Sequence, residues 1–186
     1  MNNTFEICFK EVLGFEGGYV NDKSDRGGET KYGISKKSYP DIDIESLTIE
    51  QAKHLYYRDF FNTKSLEISS IDDERIAVEL FDTAVNMGVG ISARFLQEAL
   101  NLMNRNQQDW NDLVVDGLCG KNTLIAYKKA RKDILLKVLN GLQFCRYKAI
   151  VEKDATQENN FNGWMKRIWN IKWIFSMQLR IKRIEM

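Results

Sequence analysis

Glu16 is the residue whose type and position most clearly suggest chemistry. It continues one face of a predicted helix, on which large apolar side chains recur at helical spacing: Phe5, Cys8, Phe9, Val12 and Leu13. Gly17 and Gly18 follow at once and end the helix. Burial and the partial negative charge of a helix C-terminus both favour a protonated carboxyl, as a general acid requires. The alternative is a glutamate that ends the helix and points to water.

Asp25 and Thr30 could complete a site with Glu16. Tyr19 and Val20 can begin a short strand, residues 25–28 supply turn formers, and residues 32–35 are predicted to form the returning strand. Such a hairpin would bring Asp25 and Thr30 back across from Glu16. Two carboxyl groups that face each other across a groove can hydrolyse a glycosidic bond, with Asp25 and Thr30 holding the water. Asp25 could instead be a turn former only.

The motif around these residues resembles a known family. Glu16-Gly17-Gly18-Tyr19, followed by Asp25-x-Gly27-Gly28-x-Thr30-Lys31-Tyr32-Gly33-Ile34, is similar to the signature of the glycoside hydrolase family 108 lysozymes, the N-acetylmuramidase group once labelled secretion activators. The resemblance implies a lysozyme-like fold with Glu16 as the catalytic acid. The spacing Glu16-x8-Asp25-x4-Thr30 is one residue shorter before the threonine than that of phage lysozymes. An alternative role for Thr30 is therefore to pack the hairpin without taking part in catalysis.

Composition is that of one compact globular protein. The chain has 186 residues, of which 44% are hydrophobic and 28% are charged. No secretory signal pattern and no span of about 20 apolar residues is found, so we expect synthesis in the cytoplasm and no transmembrane segment. Cys8, Cys119 and Cys145 are far apart, which predicts free thiols.

Several other chemistries are excluded. His54 is the single histidine and lies in a helix opened by a Thr48-x-x-Gln51 capping box, so we interpret it as structural. A histidine-rich metal cluster cannot form, and no P-loop pattern is present. No metal or cofactor is expected.

A helix after Asp72 carries the next candidate residues. Its apolar face is predicted to be Ile76, Leu80, Phe81, Ala84 and Val85. Asp82 and Asn86 form an i, i+4 polar pair beside this face. The resembling family has a similar Phe-Asp-x-Ala-Val-Asn-x-Gly run. Asp82 and Asn86 could bind acetamido or hydroxyl groups of a glycan, or they could tether the hairpin.

The second half of the chain is predicted to be helical and to bind the cell wall. The pattern Asp116-Gly117-x-x-Gly120-x-x-Thr123 resembles small peptidoglycan-binding modules, with a helix capped near Asn122 or Thr123. Trp164 lies on an apolar stripe flanked by Lys and Arg. This stripe could pack on the core, could offer an aromatic platform for sugar rings or could lie on a membrane.

Charge is divided between the halves. Residues 1–100 have a net charge of −7 and residues 101–186 a net charge of +8, which together give the +1 of the chain. A basic C-terminal half suits attraction to an anionic wall, and it equally suits docking of the two halves. No nucleic-acid-binding motif accompanies this charge, so we expect no nucleic-acid partner.

We therefore predict a mainly α, α+β lysozyme-like fold with a small β-hairpin, a catalytic region at 1–90 and a helical peptidoglycan-binding region at 91–186 packed against it. The predicted activity is hydrolysis of the β-1,4 bond between N-acetylmuramic acid and N-acetylglucosamine. Candidate glycan-binding residues are Tyr19, Tyr32, Asp82, Asn86 and Trp164. Two alternatives stay open: a lytic transglycosylase that uses Glu16 alone, and a non-catalytic binding protein. The resemblance further implies a monomer that reaches the wall or periplasm through a partner holin.

Overall fold

The structure is a computed structural model that describes residues 3–13, 18–20 and 28–168. Within these ranges the chain forms seven α-helices and one two-stranded antiparallel sheet. The predicted mainly α, lysozyme-like fold class is confirmed. The elements are α1 (Asn3–Leu13), β1 (Thr30–Lys31), β2 (Ile34–Ser35), α2 (Ile49–Tyr56), α3 (Glu74–Met87), α4 (Val89–Met103), α5 (Lys121–Lys129), α6 (Lys132–Lys153) and α7 (Glu158–Ile168).

An aromatic cluster joins α1 to α3 in the core. The Phe5 ring lies 5.2 Å from that of Phe61 and 6.1 Å from that of Phe81, both edge to face. Phe5, Cys8 and Phe9 are buried, as the apolar stripe predicts. Edge-to-face rings add specific geometry to the hydrophobic burial. The cluster therefore fixes the position of α1, the helix that precedes Glu16 in the sequence.

Helix α2 begins as predicted and ends unexpectedly. The Thr48 hydroxyl accepts a hydrogen bond from the Gln51 backbone, and the Gln51 side chain accepts one from the Thr48 backbone, which completes the capping box. At its C-terminus α2 widens into a π-helical turn, Tyr57–Phe61. Such turns are rare and are frequently found at functional sites.

Helices α3 and α4 form a tight pair. Asp73 caps α3 through the backbone N–H groups of Arg75 and Ile76. The chain turns at Gly88, whose φ is +96°. The Ser92 hydroxyl then donates a 2.7 Å hydrogen bond to the Leu80 carbonyl, which fixes α4 against α3.

The chain divides into two compact units, Met1–Leu136 and Lys137–Met186, and the division falls within α6. The first unit contains α1 to α5. In the second unit, α6 and α7 share two aromatic contacts, Phe144 with Phe161 and Tyr147 with Trp164. The predicted functional division at residue 90 lies inside the first unit and stays a prediction.

Candidate active site

The two carboxyl groups of the predicted catalytic pair, Glu16 and Asp25, lie outside the described residues. The segments that flank them are described. Helix α1 ends at Leu13, the chain is described again at residues 18–20, and it continues from Gly28 into β1. The described part of the site is therefore the end of α1 and the hairpin that begins at β1.

A short hairpin carries Thr30. Strands β1 and β2 pair with Thr30 opposite Ser35 and Lys31 opposite Ile34. Val20 also bridges to Thr30 through two backbone hydrogen bonds of 2.8 Å. Val20 and Thr30 are paired antiparallel, so the strand that returns beside Val20 begins at Thr30 and not at Tyr32 as predicted. Tyr32 and Gly33 were predicted to be strand residues, which is wrong, because they form the turn between β1 and β2.

The hairpin turn has an unusual backbone. Tyr32 has a φ of +52° and Gly33 a φ of +73°. Two-residue turns with both φ values positive match the right-handed twist of the strands that they join. Tyr32, a predicted glycan-binding residue, is held in this turn, and the Lys31 Nζ lies 5.7 Å from the centre of its ring. The turn therefore fixes the direction of the Tyr32 side chain.

The Thr30 hydroxyl makes a local contact. It donates a 3.3 Å hydrogen bond to the carbonyl of Gly28, and the residue is half-buried. This contact fits the alternative in which Thr30 packs the hairpin. The hydroxyl oxygen still has acceptor capacity, so the proposed contact with water is chemically compatible with this geometry.

Tyr56 of α2 anchors the hairpin turn. Its hydroxyl donates a 3.2 Å hydrogen bond to the Tyr32 carbonyl, and an ideal Cβ on Gly33 would lie 2.5 Å from the same hydroxyl oxygen. That Cβ would also lie 3.1 Å from Cδ2 of Leu13, the last residue of α1. Burial raises the pKa of Tyr56 to about 12, so the hydroxyl stays a donor. The sequence analysis did not identify Tyr56 as a functional residue.

A second contact ties the chain after the hairpin to the π-helical turn. The Tyr39 hydroxyl donates a 2.8 Å hydrogen bond to Asp59. Arg58 also donates to the Asp59 carboxylate, at 2.6 Å. The hydrogen bond from Arg58 lowers the pKa of Asp59, with a further contribution from Tyr39, so this acceptor stays ionised. The π-helical turn is thus joined to the segment after the hairpin through Asp59, while α2 is joined to the hairpin turn through Tyr56.

Asp82 and Asn86 form the predicted i, i+4 pair on α3. The Asn86 amide donates to the Asp82 carbonyl at 2.8 Å and to the Asp82 carboxylate at 3.1 Å. Asn86 is exposed and Asp82 is half-buried. The pair therefore presents an ordered carboxylate and an amide oxygen at the surface, and its binding role stays a prediction.

Glu79 is a functional candidate that sequence reasoning missed. Its side chain is buried, and Oε1 has no hydrogen-bond partner among the described residues. Burial, together with the negative charge of Asp82, raises the pKa of Glu79 to about 8. The signal was available, because Glu79 lies at i+3 from Ile76 on the apolar stripe of α3. The same argument had singled out Glu16.

The remaining predicted binding residues, Tyr19 and Trp164, belong to different compact units. Tyr19 has an exposed fraction of 38% and is next to the Val20–Thr30 bridge, so it belongs to the hairpin region. Trp164 belongs to the second compact unit, where its ring stacks on Tyr147 at 4.7 Å and an interplanar angle of 14°. One face of the Trp164 ring is therefore covered by Tyr147, as expected for the packing alternative.

The Asp-Gly motif of the second half is a turn held by α4. The buried Gln97 amide donates to Asp116 at 2.8 Å and to the Leu118 carbonyl at 3.1 Å, and it accepts from the Gly117 backbone at 2.9 Å. Helix α5 begins at Lys121 with Gly120 as its N-cap, without a side-chain cap. The predicted cap at Asn122 or Thr123 is wrong, because Thr123 already lies buried within the helix.

No group of three or more His, Cys, Asp or Glu side chains suited to a metal ion occurs in the described ranges. All three cysteines are free thiols, as predicted.

Among the helices described, none combines the length and the apolar character that crossing a membrane would require.

Two family models match consecutive parts of the chain. Residues 9–88 match the model described as Glycosyl hydrolase 108, and residues 91–169 match the model described as Predicted Peptidoglycan domain. The chain is also similar to the solved structure described as Brucella abortus SagA. This match has a TM-score of 0.68 and 22% sequence identity, and it covers 90% of this chain and 91% of that chain. No curated protein matches the sequence.

Together, the fold and the two matched regions define a glycosidase that acts on peptidoglycan. Residues 9–88 carry the match to glycosyl hydrolase 108, and the match to the predicted peptidoglycan domain follows directly. The resemblance carried by the Glu16–Ile34 motif is thereby confirmed at the level of the family.

Proposed function

We propose that this protein is an N-acetylmuramidase, which hydrolyses the β-1,4 bond between N-acetylmuramic acid and N-acetylglucosamine. The observation that carries the proposal is the close approach of both Leu13 and Tyr56 to Gly33. Leu13 precedes Glu16 by three residues, and Gly33 turns the hairpin that carries Thr30. A site that needs Glu16 opposite that hairpin is supported by an anchor that joins the end of α1 to the turn.

In this mechanism Glu16 donates a proton to the leaving glycosidic oxygen. Asp25 stabilises the positive charge that develops on the sugar ring or activates the attacking water, and Thr30 positions that water. The separation of the two carboxyl groups decides between retention and inversion. No step requires a metal or a cofactor.

Glycan binding is assigned to the hairpin region and α3 of the first unit, and to Trp164 in the second unit. Tyr19 and Tyr32 belong to the hairpin region, and Asp82 with Asn86 supplies hydrogen-bond acceptors from α3. Aromatic rings suit the apolar faces of sugars, and the polar pair suits their acetamido and hydroxyl groups. Trp164 is the candidate of the second unit, through the part of its ring that Tyr147 leaves uncovered.

The region after residue 90 is proposed to hold the enzyme on the wall. It contains the predicted peptidoglycan domain, and the chain beyond residue 100 has a net charge of +8. Anionic wall polymers attract such a surface, and this attraction weakens as salt concentration rises. Action at the bacterial cell wall, as a monomer released by a holin, completes the proposal.

The test is loss of turbidity of a purified peptidoglycan suspension by the wild type and by Glu16→Gln. The matched control is Glu74→Gln, which removes an exposed carboxylate from the first turn of α3. We expect clearing by the wild type and the control, and a loss of at least about 100-fold in Glu16→Gln. Equal clearing by all three proteins would overturn the role of Glu16. Wall sedimentation without clearing by any of them would leave a binding protein.

A further inference from the structure

A stripe of polar side chains runs along one face of α3. Glu79, Asp82, Thr83 and Asn86 are spaced i, i+3, i+4 and i+7, so they follow one another on the same side of the helix. Their exposure changes along the stripe. Glu79 and Thr83 are buried, Asp82 is half-buried and Asn86 is exposed. The stripe therefore connects a buried carboxyl to a polar pair at the surface.

The Glu79 carboxyl, at the buried end of the stripe, lacks within the described part of the chain the hydrogen-bond partners that an ionised carboxylate needs. Glu79 has an exposed fraction of 9%, and its Oε1 has no hydrogen-bond partner among the described residues. An ionised carboxylate without a partner is costly in such a place, so the group stays neutral instead. The adjacent negative charge of Asp82 acts in the same direction, and together they raise the pKa of Glu79 to about 8.

No described cation compensates Glu79 from a neighbouring element. Asp82, on its own helix, is the single charged residue of the described chain that contributes to the pKa shift. Helix α1, the π-helical turn and α4 pack on α3 and carry charged side chains of their own. None of these side chains contributes to the pKa shift of Glu79: Glu6, Lys10, Glu11, Arg58, Asp59, Arg94 and Glu98. Ionisation of Glu79 thus places a second negative charge one turn from Asp82, without a described counter-charge.

We propose that the protonated Glu79 carboxyl is a positioning residue for glycan binding. It allows Asp82 to keep the geometry in which Asn86 donates to it, and loss of the Glu79 proton repels Asp82 and disrupts this pair. The inference rests on the proposed function, because the Asp82–Asn86 pair is assigned there to the glycan. Glu79 itself is buried and acts through Asp82, so it does not touch the substrate.

The Kd for a glycan fragment should depend on pH through the ionisation of Glu79. If the binding-competent protein is the one with Glu79 protonated, the apparent Kd is the intrinsic Kd divided by the protonated fraction. With a midpoint at about 8, that fraction is near one at about pH 6 and about one tenth at about pH 9. The Kd for a glycan fragment is therefore expected to rise about tenfold between these two pH values.

The experiment measures the Kd of a soluble tetrasaccharide of alternating N-acetylglucosamine and N-acetylmuramic acid by calorimetry at about pH 6 and about pH 9. All proteins carry Glu16→Gln, so that the ligand is not turned over. We compare the ratio of the two Kd values in this parent, in Glu79→Gln and in the control Glu74→Gln. The ratio is expected to be about ten in the parent and the control, and close to one in Glu79→Gln.

A second measurement needs no substitution at Glu79 and covers the case in which Glu79→Gln does not fold. The carboxyl carbon resonance of Glu79 in the parent protein reports its ionisation directly, and its midpoint should coincide with that of the Kd. A separation of more than about one pH unit overturns the proposal.

The outcomes separate the two claims. A tenfold ratio that persists in Glu79→Gln overturns the positioning role, while hydrolysis of peptidoglycan by the wild type leaves the proposed function standing. Absence of both hydrolysis by the wild type and tetrasaccharide binding at either pH overturns the proposed function and this inference with it.

Discussion

The hydroxyl oxygen of Tyr56 occupies the space that a side chain on Gly33 would need. An ideal Cβ on Gly33 would lie 2.5 Å from this oxygen, and the hydroxyl donates its hydrogen bond to the carbonyl of the preceding residue, Tyr32. The end of α1 meets the same point through Leu13. The turn of the proposed catalytic hairpin therefore lies against α2 through Tyr56 and against the end of α1 through Leu13.

Gly33→Ala is expected to destabilise the protein and to lower its activity. The methyl group would clash with Tyr56, and a non-glycine residue at this φ of +73° adds about 1–2 kcal/mol of backbone strain. Urea unfolding and wall clearing measure the two effects. Gly28→Ala is the matched control, because Gly28 has a φ of +69° but nothing lies within 4 Å of its ideal Cβ. Equal losses in both variants would contradict a specific role for the Tyr56 contact.

Tyr56→Phe tests the hydrogen bond without removing the ring. The phenyl ring keeps its contacts with Phe9 and Phe81, while the Tyr32 carbonyl loses its donor. We expect a loss of about 1 kcal/mol in stability and a fall in kcat that exceeds the change in KM, since the hairpin is less firmly placed. Tyr57→Phe is the control, because no hydrogen bond of the Tyr57 hydroxyl is found in the described structure. A kcat unchanged by Tyr56→Phe would remove the positioning role.

Glu79 makes stability depend on pH in a direction opposite to that of an ordinary salt-bridged carboxylate. Between about 4.5 and about 8 the carboxyl is neutral in the folded protein and ionised in the unfolded chain. The unfolded state then binds fewer protons, so the free energy of unfolding falls as pH rises through this window. From about pH 5 to about pH 8 we expect a loss of roughly 2–4 kcal/mol that Glu79→Gln does not show. Urea unfolding at several pH values measures this loss in both proteins. If the free energy of unfolding depends on pH identically in the two, Glu79 is ionised in the folded protein.

Gln97→Leu is expected to release the turn at Asp116–Gly117 from α4. Three hydrogen bonds of a buried amide are lost, which leaves the Gly117 N–H and the Leu118 carbonyl without this partner, at a cost of about 1–3 kcal/mol. If this turn belongs to the wall-binding region, the fraction of protein that sediments with peptidoglycan should fall as well. The exposed Gln108→Leu is the control. Sedimentation that is unchanged in Gln97→Leu would show that wall binding does not depend on this turn.

Periodicity and capping residues were sufficient to predict most of the helical frame. The stripe from Phe5 to Phe9 is buried, the Thr48–Gln51 box caps α2, and α3 begins shortly after Asp72, as predicted. Each of these signals is local, because it depends on residues within about two helical turns of one another. Local signals can be recognised from one sequence without knowledge of the tertiary fold.

The features that escaped prediction are non-local. Tyr56 reaches the hairpin turn at Tyr32, which lies 24 residues earlier in the chain. Nothing within the sequence of α2 indicates this contact. The π-helical turn at Tyr57–Phe61 likewise follows apolar spacing that an ordinary helix also has. Glu79 differs from these cases, because its place on an apolar stripe was visible in the sequence.

An N-acetylmuramidase cleaves on the reducing side of N-acetylmuramic acid. Mass spectrometry of the soluble fragments released from purified peptidoglycan, after reduction with borohydride, identifies the bond that is cut. We predict fragments that end in reduced N-acetylmuramic acid, released by the wild type and not by Glu16→Gln. Fragments that end in reduced N-acetylglucosamine or in an anhydro sugar would contradict it, and the anhydro product would identify a lytic transglycosylase.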